Sequence, residues 1–191
     1  VDDPNVPAAG GVPVVRPGRR SLTVVAGLPG AGKSTVLTKL DCDGPVVLLD
    51  SEQVRDVLRR WLPALPYAWY RPLVHLVHRS RIAGHCLFSS RPVVAHEPAT
   101  RASTRVLLLL FALLGARRPV LVWLQAEAGQ ARAGQRARGR VIRSASFHRH
   151  VRRTDRVQRR LREGRRLRGW RQIHVFTRRE VATGLRLRTR G

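Results

Sequence analysis

Between positions 27 and 34 the chain reads Gly27-Leu28-Pro29-Gly30-Ala31-Gly32-Lys33-Ser34, matching GxxxxGK[ST] at each fixed position. That pattern describes a phosphate cradle. Glycines let the loop turn its backbone N–H groups inward around phosphate oxygens without Cβ clashes. A helix opening at the lysine adds the positive end of its dipole. In such a loop Lys33 reaches the β- and γ-phosphates and the Ser34 hydroxyl holds Mg2+, with Thr35 beside the α-phosphate. Of the 37 basic residues only two are lysines, Lys33 and Lys39. One of them stands where a compact ammonium fits and a guanidinium does not. The expectation is a nucleoside triphosphate site.

Other groups could do chemistry around it. Asp50 and Glu52 follow an apolar run. Asp50 suits a helix N-cap, and Glu52 favours the helix dipole. Tyr67, Trp69, Tyr70, Arg71, His75, His78 and Arg79 gather aromatic and cationic groups within one short segment, which suits an acceptor pocket. Arg132, Arg136, Arg138, Arg140 and Arg143 cluster farther on. The spacing of Arg132, Arg136 and Arg140 puts them on one helical face, and Gly129, Gly134 and Gly139 suit a hinged element.

Elements alternate to position these groups. Apolar runs Leu22–Ala26, Pro45–Leu49, Pro92–His96, Pro119–Leu124 and Ile173–Phe176 read as strands buried on both faces. Helices are expected at Lys33–Leu40, from Ser51 to Trp61, from Pro72 to about Ala83, from Thr100 to Leu114, and across the Arg-rich stretch Glu127–Arg168. Thr177-Arg178-Arg179-Glu180 has the capping-box pattern and predicts a last short helix. Strands alternating with helices give an α/β fold with a parallel five-stranded sheet. Residues 1–19, rich in Pro and Gly, are expected as a flexible tail, and 20–191 as one domain with a lid over about 126–169.

The segment Val46–Arg55 resembles the one after the second strand in small P-loop kinases of the polynucleotide-kinase, zeta-toxin and gluconate-kinase type, which carry an acidic residue three positions before an arginine. Glu52 and Arg55 match that spacing, and Asp50 competes. Stretches Gly27–Thr35, Asp50–Arg55, Tyr70–His75, His96–Arg101 and Gly134–Arg140 are most similar to small actinobacterial P-loop proteins grouped as AAA family ATPases. The resemblance implies a three-layer P-loop NTPase fold that uses ATP and Mg2+. It implies Lys33 and a base, Glu52 or Asp50, as catalytic groups, with Arg136 and Arg140 closing over the triphosphate. Ser34 and, through water, Glu97 would serve Mg2+. Arg55, Tyr70, Arg71, His75 and Arg101 would face the acceptor. There are departures: small kinases often end the third strand with Asp, where this chain has His96-Glu97, and Gln125 stands where an Asp is common after the fourth.

Charge bears on partners. The formal net charge is +25, and ten arginines between Arg149 and Arg168 would suit a nucleic-acid end or a solvated basic face. The arginine excess, with abundant Ala, Val and Gly and no Met, also fits a GC-rich coding sequence. No signal peptide is visible at the N-terminus, and the apolar run Val106–Leu114 is too short to span a bilayer. Cys42 and Cys86 lack metal-ligand spacing. A cytoplasmic protein is therefore expected. The absence of an NKxD signature argues against a GTPase. Three functions stay open: an ATP-dependent phosphotransferase acting on a hydroxyl, a basic nucleic-acid-associated ATPase switch, and a non-catalytic nucleotide-binding regulator.

Overall fold

The computed structural model describes residues 11–137, 144–165 and 167–189. In chain order the elements are β1 (Val14–Val15), β2 (Ser21–Gly27), α1 (Lys33–Thr38), β3 (Leu40–Cys42), β4 (Val47–Asp50), α2 (Ser51–Trp61), α3 (Tyr67–Phe88), β5 (Val93–His96), α4 (Ala102–Leu114), β6 (Arg118–Gln125), α5 (Ala128–Arg136), α6 (Ser144–Arg162), β7 (Gln172–Thr177) and β8 (Leu185–Leu187). The main sheet is five-stranded and parallel, in the order β4-β5-β2-β6-β7. These are the five strands expected from their unbroken apolar runs.

The reason for those runs is burial on both faces. Along β2, Leu22, Val24 and Ala26 pack with Ile82 of α3 and Leu108 of α4, while Val25 belongs to the opposite cluster with Leu37, Leu185 and Leu187. Helix α6 contributes to both layers. Phe147 and Val151 join the cluster around Val25, whereas Val157 and Leu161 join the one around Trp123. The middle of α6 thus passes from one layer to the other, and its Arg149 and His150 line the same cleft as the strand-end residues His96 and Glu97.

Several elements depart from expectation. Val14–Val15 lie within the expected tail, yet β1 pairs with β8, which also pairs with β3. Val15 is fully buried there. Such short strands carry too little periodicity to stand out in a sequence. Helix α3 starts at Tyr67, so Pro72 lies inside it rather than at its first position. At Thr177–Glu180 the reciprocal capping-box bonds form, with Thr177 N donating to Glu180 Oε2 (2.6 Å) and Glu180 N to Thr177 Oγ1 (3.3 Å). They close a turn that leads into β8, not a helix.

Arg117 ties the layers together. Only 4% exposed, its guanidinium donates to the carbonyls of Cys86 (2.7 Å), His85 (2.8 Å), Arg91 (2.8 Å), Ser21 (3.3 Å) and Ser89. Arg117→Ala leaves these carbonyls without their shared donor and should cost roughly 3 kcal/mol or more in a urea denaturation series. Arg117→Lys should restore only part of it, because an ammonium cannot span the fork. A variant as stable as the parent would show that water satisfies the carbonyls.

Candidate active site

The cradle is built where β2 runs into α1. Backbone bonds from Gly27 N to Pro98 O (3.1 Å) and from Glu97 N to Val25 O (3.3 Å) tie its base to the end of β5. Helix α5 lies directly on the loop. A Cβ at Gly30, whose φ is +94°, would sit 2.1 Å from the Ala131 carbonyl oxygen, and one at Gly134 would sit 2.5 Å from the Gly30 oxygen. Gln135 Nε2 donates to the Pro29 carbonyl at 2.9 Å. Gly30→Ala should therefore displace α5 or the loop and weaken ATP·Mg2+ binding at least tenfold by calorimetry, with the fold retained. Unaltered binding would mean that the contact gives way without cost.

Lys33 is buried, and its Nζ donates to the carbonyls of Gly27 (3.0 Å) and Leu28 (2.9 Å). Ser34 lines the adjoining cleft, as do Pro29 and Gly30. Ala31 is buried in the layer beneath the loop, and Gly32 adopts a left-handed conformation at the start of α1. Thr35 is exposed beyond the cleft wall. A loop with its close backbone approach, a buried ammonium and a helix start fits a polyphosphate. Arg178 beside Gly32 and Gly134 adds a cation to this end.

Asp50 and Glu52 separate clearly. Asp50 is the N-cap of α2, its carboxylate accepting from Glu52 N (3.0 Å) and from His96 Nδ1 (2.8 Å). Burial works to raise its pKa, but the hydrogen bond and charge of His96 and the Glu52 N–H outweigh it and hold the carboxyl below its ordinary value. Glu52 itself lines the cleft with Lys33 and Ser34, and so does Arg55.

Glu97 is 4% exposed and bound by Arg79 Nη2 at 3.1 Å. Its other oxygen, Oε2, is buried without a hydrogen-bond partner, 3.8 Å from His78 Nε2. A carboxylate oxygen left in this state beside the cradle fits a water-mediated cation site, although the described residues hold no group of three metal-ligating side chains. His78, fully buried, donates from Nε2 to the His96 carbonyl at 3.1 Å and so links α3 to the end of β5.

The cleft has a volume of about 1060 Å3. Of the residues expected to face an acceptor, Arg55, Arg71, His75 and Arg101 line it. Tyr70 does not. It packs with Val54 and Val74 under α2 and meets Tyr67 edge-on at 5.4 Å, because position 70 falls on the helix face that closes the α2–α3 seam. Arg136 is exposed at the end of α5 and does not line the cleft, and Arg132 lies over the Phe147 ring at 5.1 Å. Arg140, with Arg138 and Arg143, lies outside the described residues.

Two groups from α6 complete the wall: Arg149, the first of the arginines expected to suit a nucleic-acid end or a solvated face, and His150, which the sequence did not single out. The segment after β5 meets them. Ala99 takes a left-handed φ of 49°, fixed by Arg105, whose Nη1 donates to the carbonyls of Ala99 (2.8 Å) and Thr100 (3.1 Å). Thr100 Oγ1 then hydrogen-bonds His150 Nδ1 at 3.0 Å. Local strain of this kind persists only where the surroundings over-determine it.

The imidazoles of His75, His78 and His150 are neutral at neutral pH. Burial, then the charges of Arg153, Arg71, Arg101 and Lys33, push His150 down to about 4. Burial also lowers His75 and His78, against the opposing charge of Glu97. A base depressed in the folded state is protonated first in the unfolded chain. Stability should thus fall as pH drops below about 6.5, continuing to about 4 for His150. Urea midpoints at pH 7.5 and 5 should show it, and His150→Gln should lessen the difference. Equal midpoints would contradict the neutral assignments.

Among the described residues no helix is long and apolar enough to cross a membrane. The AAA_33 family profile, described as an AAA domain, matches residues 22–165. A search of curated proteins gives no significant match. Among solved structures, one from the PezAT chromosomal toxin–antitoxin system of Streptococcus pneumoniae superposes with a TM-score of 0.59 at 11% identity, covering 86% of this chain and 71% of that one. A candidate kinase from Chloroflexus aurantiacus superposes with a TM-score of 0.57 at 14% identity, covering 83% and 88%. At such identities the likeness is one of fold, and the fold is that of P-loop kinase-like proteins. With the profile spanning most of the chain, the protein belongs to the AAA_33 family of AAA domains.

Proposed function

We propose that the protein is an ATP- and Mg2+-dependent phosphotransferase that moves the γ-phosphate of ATP to a hydroxyl acceptor. The observation that carries this reading is that Glu52 lines the same cleft as Lys33 and Ser34 of the phosphate cradle, with Arg55, Arg71, His75 and Arg101 around it. Lys33 and the loop N–H groups would hold the triphosphate, and Lys33 would meet charge developing on the transferred group. Ser34, and Glu97 through water, would hold Mg2+, which supplies further charge neutralisation. Glu52 would orient the acceptor hydroxyl. As the hydroxyl oxygen bonds to the γ-phosphorus and the bond to ADP breaks, its proton passes to Glu52. Asp50, engaged by His96 and the α2 N-terminus, would position Glu52 rather than take the proton. Incubation with γ-labelled ATP, Mg2+ and a panel of hydroxyl compounds tests the reading. Label should appear in at least one acceptor. Labelled inorganic phosphate as the sole product across the panel would favour an ATPase instead.

A further inference from the structure

Among the described residues, five arginines besides Lys33 line the cleft, against the two carboxylates Glu52 and Glu97. Arg79 is paired with Glu97, and Arg55 lies over the Tyr67 ring at 4.5 Å. The other three come from different elements: Arg71 from α3, Arg101 from the segment before α4, and Arg149 from α6. None of these three has a carboxylate partner among the described residues. Arg71 and Arg101 act on the same imidazole, His150, as do Lys33 and Arg153. Buried polar atoms without hydrogen-bond partners also collect on this wall, including Arg55 Nε, His75 Nδ1 and Arg79 Nε. Desolvated donors on Arg55, His75 and Arg79, with the exposed guanidinium groups of Arg71, Arg101 and Arg149 that lack a carboxylate partner, line one cavity and suit an anion.

Resting on the phosphotransferase reading, we propose that the acceptor itself carries a phosphate group, seated among Arg71, Arg101 and Arg149 beside His150, and is a small phosphorylated hydroxyl compound. Charge favours a phosphate over a carboxylate. Among the described lining residues, six cations and two carboxylates leave four positive charges before the imidazoles are counted. ATP with Mg2+ neutralises about two of them, and a phosphomonoester, at about −1.5 to −2, matches the rest. The size and lining of the cleft favour a small molecule over a nucleic-acid end. The Tyr67 face is covered by Arg55, and the exposed Trp61 and Trp69 do not line the cleft, so among the described residues it offers no open phenol, phenyl or indole ring on which bases could stack.

The binding test keeps the cradle filled. Inorganic phosphate is titrated into protein saturated with Mg2+ and a non-hydrolysable ATP analogue, while histidine ring signals are followed by NMR. The His150 signal, assigned with His150→Gln, should move saturably, and its titration midpoint should rise above about 4 as the anion offsets the surrounding arginines. Arg71→Gln combined with Arg101→Gln should weaken phosphate at least tenfold. Arg152→Gln combined with Arg156→Gln, on the exposed part of α6, should leave it unchanged. An equal response in the Arg71/Arg101 double variant, or no saturable response, overturns the site. Labelled transfer to sugar phosphates should exceed transfer to the dephosphorylated sugars at least a hundredfold in kcat/KM. If neutral sugars accept label equally well, this inference fails and the phosphotransferase reading stands. If phosphate binds but nothing accepts label, the phosphotransferase reading fails and the acceptor assignment falls with it. A 5′-hydroxyl oligonucleotide that outcompetes sugar phosphates, with affinity lost in the Arg152/Arg156 double variant, overturns the small-molecule assignment in favour of nucleic acid.

Discussion

Glu52→Gln should cut phosphoryl transfer by roughly 10²–10⁴ while leaving ATP affinity within a few-fold. The amide keeps the size of the side chain and its place on the cleft wall but cannot take a proton. Asp50→Asn should behave differently. An asparagine still caps α2 through its side-chain oxygen, but the charged acceptor of the His96 Nδ1 hydrogen bond is gone. Because that carboxyl is held below its ordinary value and is ionised in the fold, the variant should lose stability at pH 7 and a smaller share of activity, roughly tenfold or less. The stability gap should close as pH falls through the Asp50 titration, where the parent loses the same charge. Steady-state transfer rates and urea midpoints for the two variants separate the roles. If Asp50→Asn is the one that loses transfer at unchanged stability, the roles are reversed.

Lys33→Ala should weaken ATP·Mg2+ binding or turnover by roughly 10²–10³-fold, about 3–4 kcal/mol, the scale of losing one preorganised charge-stabilising donor. The ammonium is buried and held by two loop carbonyls, so its removal also frees the loop from an internal tether. Calorimetric titration with ATP·Mg2+, alongside a thermal melt to show that the variant is folded, reads the effect. Binding and turnover both unchanged in a folded variant would remove the nucleotide site from the account.

The fold was legible where physics acts locally. Strands buried on both faces are written as unbroken apolar runs, and Val24 shows why: its neighbours across the sheet are Ala95 and Leu121, with helices above and below. The cradle was legible because its fixed positions admit little but glycine: Gly27 by the close approach of the Leu124 carbonyl and Gly32 by its φ of +96°. The small sheet of β1, β3 and β8 was not, since it depends on pairing between residues far apart in the chain. The place of Arg149 and His150 on the cleft wall was hidden for a similar reason. In an arginine-rich helix they look like solvated surface, and only the passage of α6 between the two hydrophobic clusters brings them to the cleft. Tyr70 shows the converse. Its neighbours in sequence reach the cleft, while its own position on α3 turns it into the seam with α2.

The central claim is that the cradle and Glu52 serve one transfer reaction, and a single-turnover experiment tests it most directly. Enzyme in excess over γ-labelled ATP and Mg2+ is mixed with the best acceptor and quenched over time, and label is divided between acceptor and inorganic phosphate. The account predicts that label passes mainly to the acceptor in the parent protein, and that Glu52→Gln slows this passage without weakening ATP binding. Label released to water at the same rate with and without acceptor, unaffected by Glu52→Gln, would contradict it.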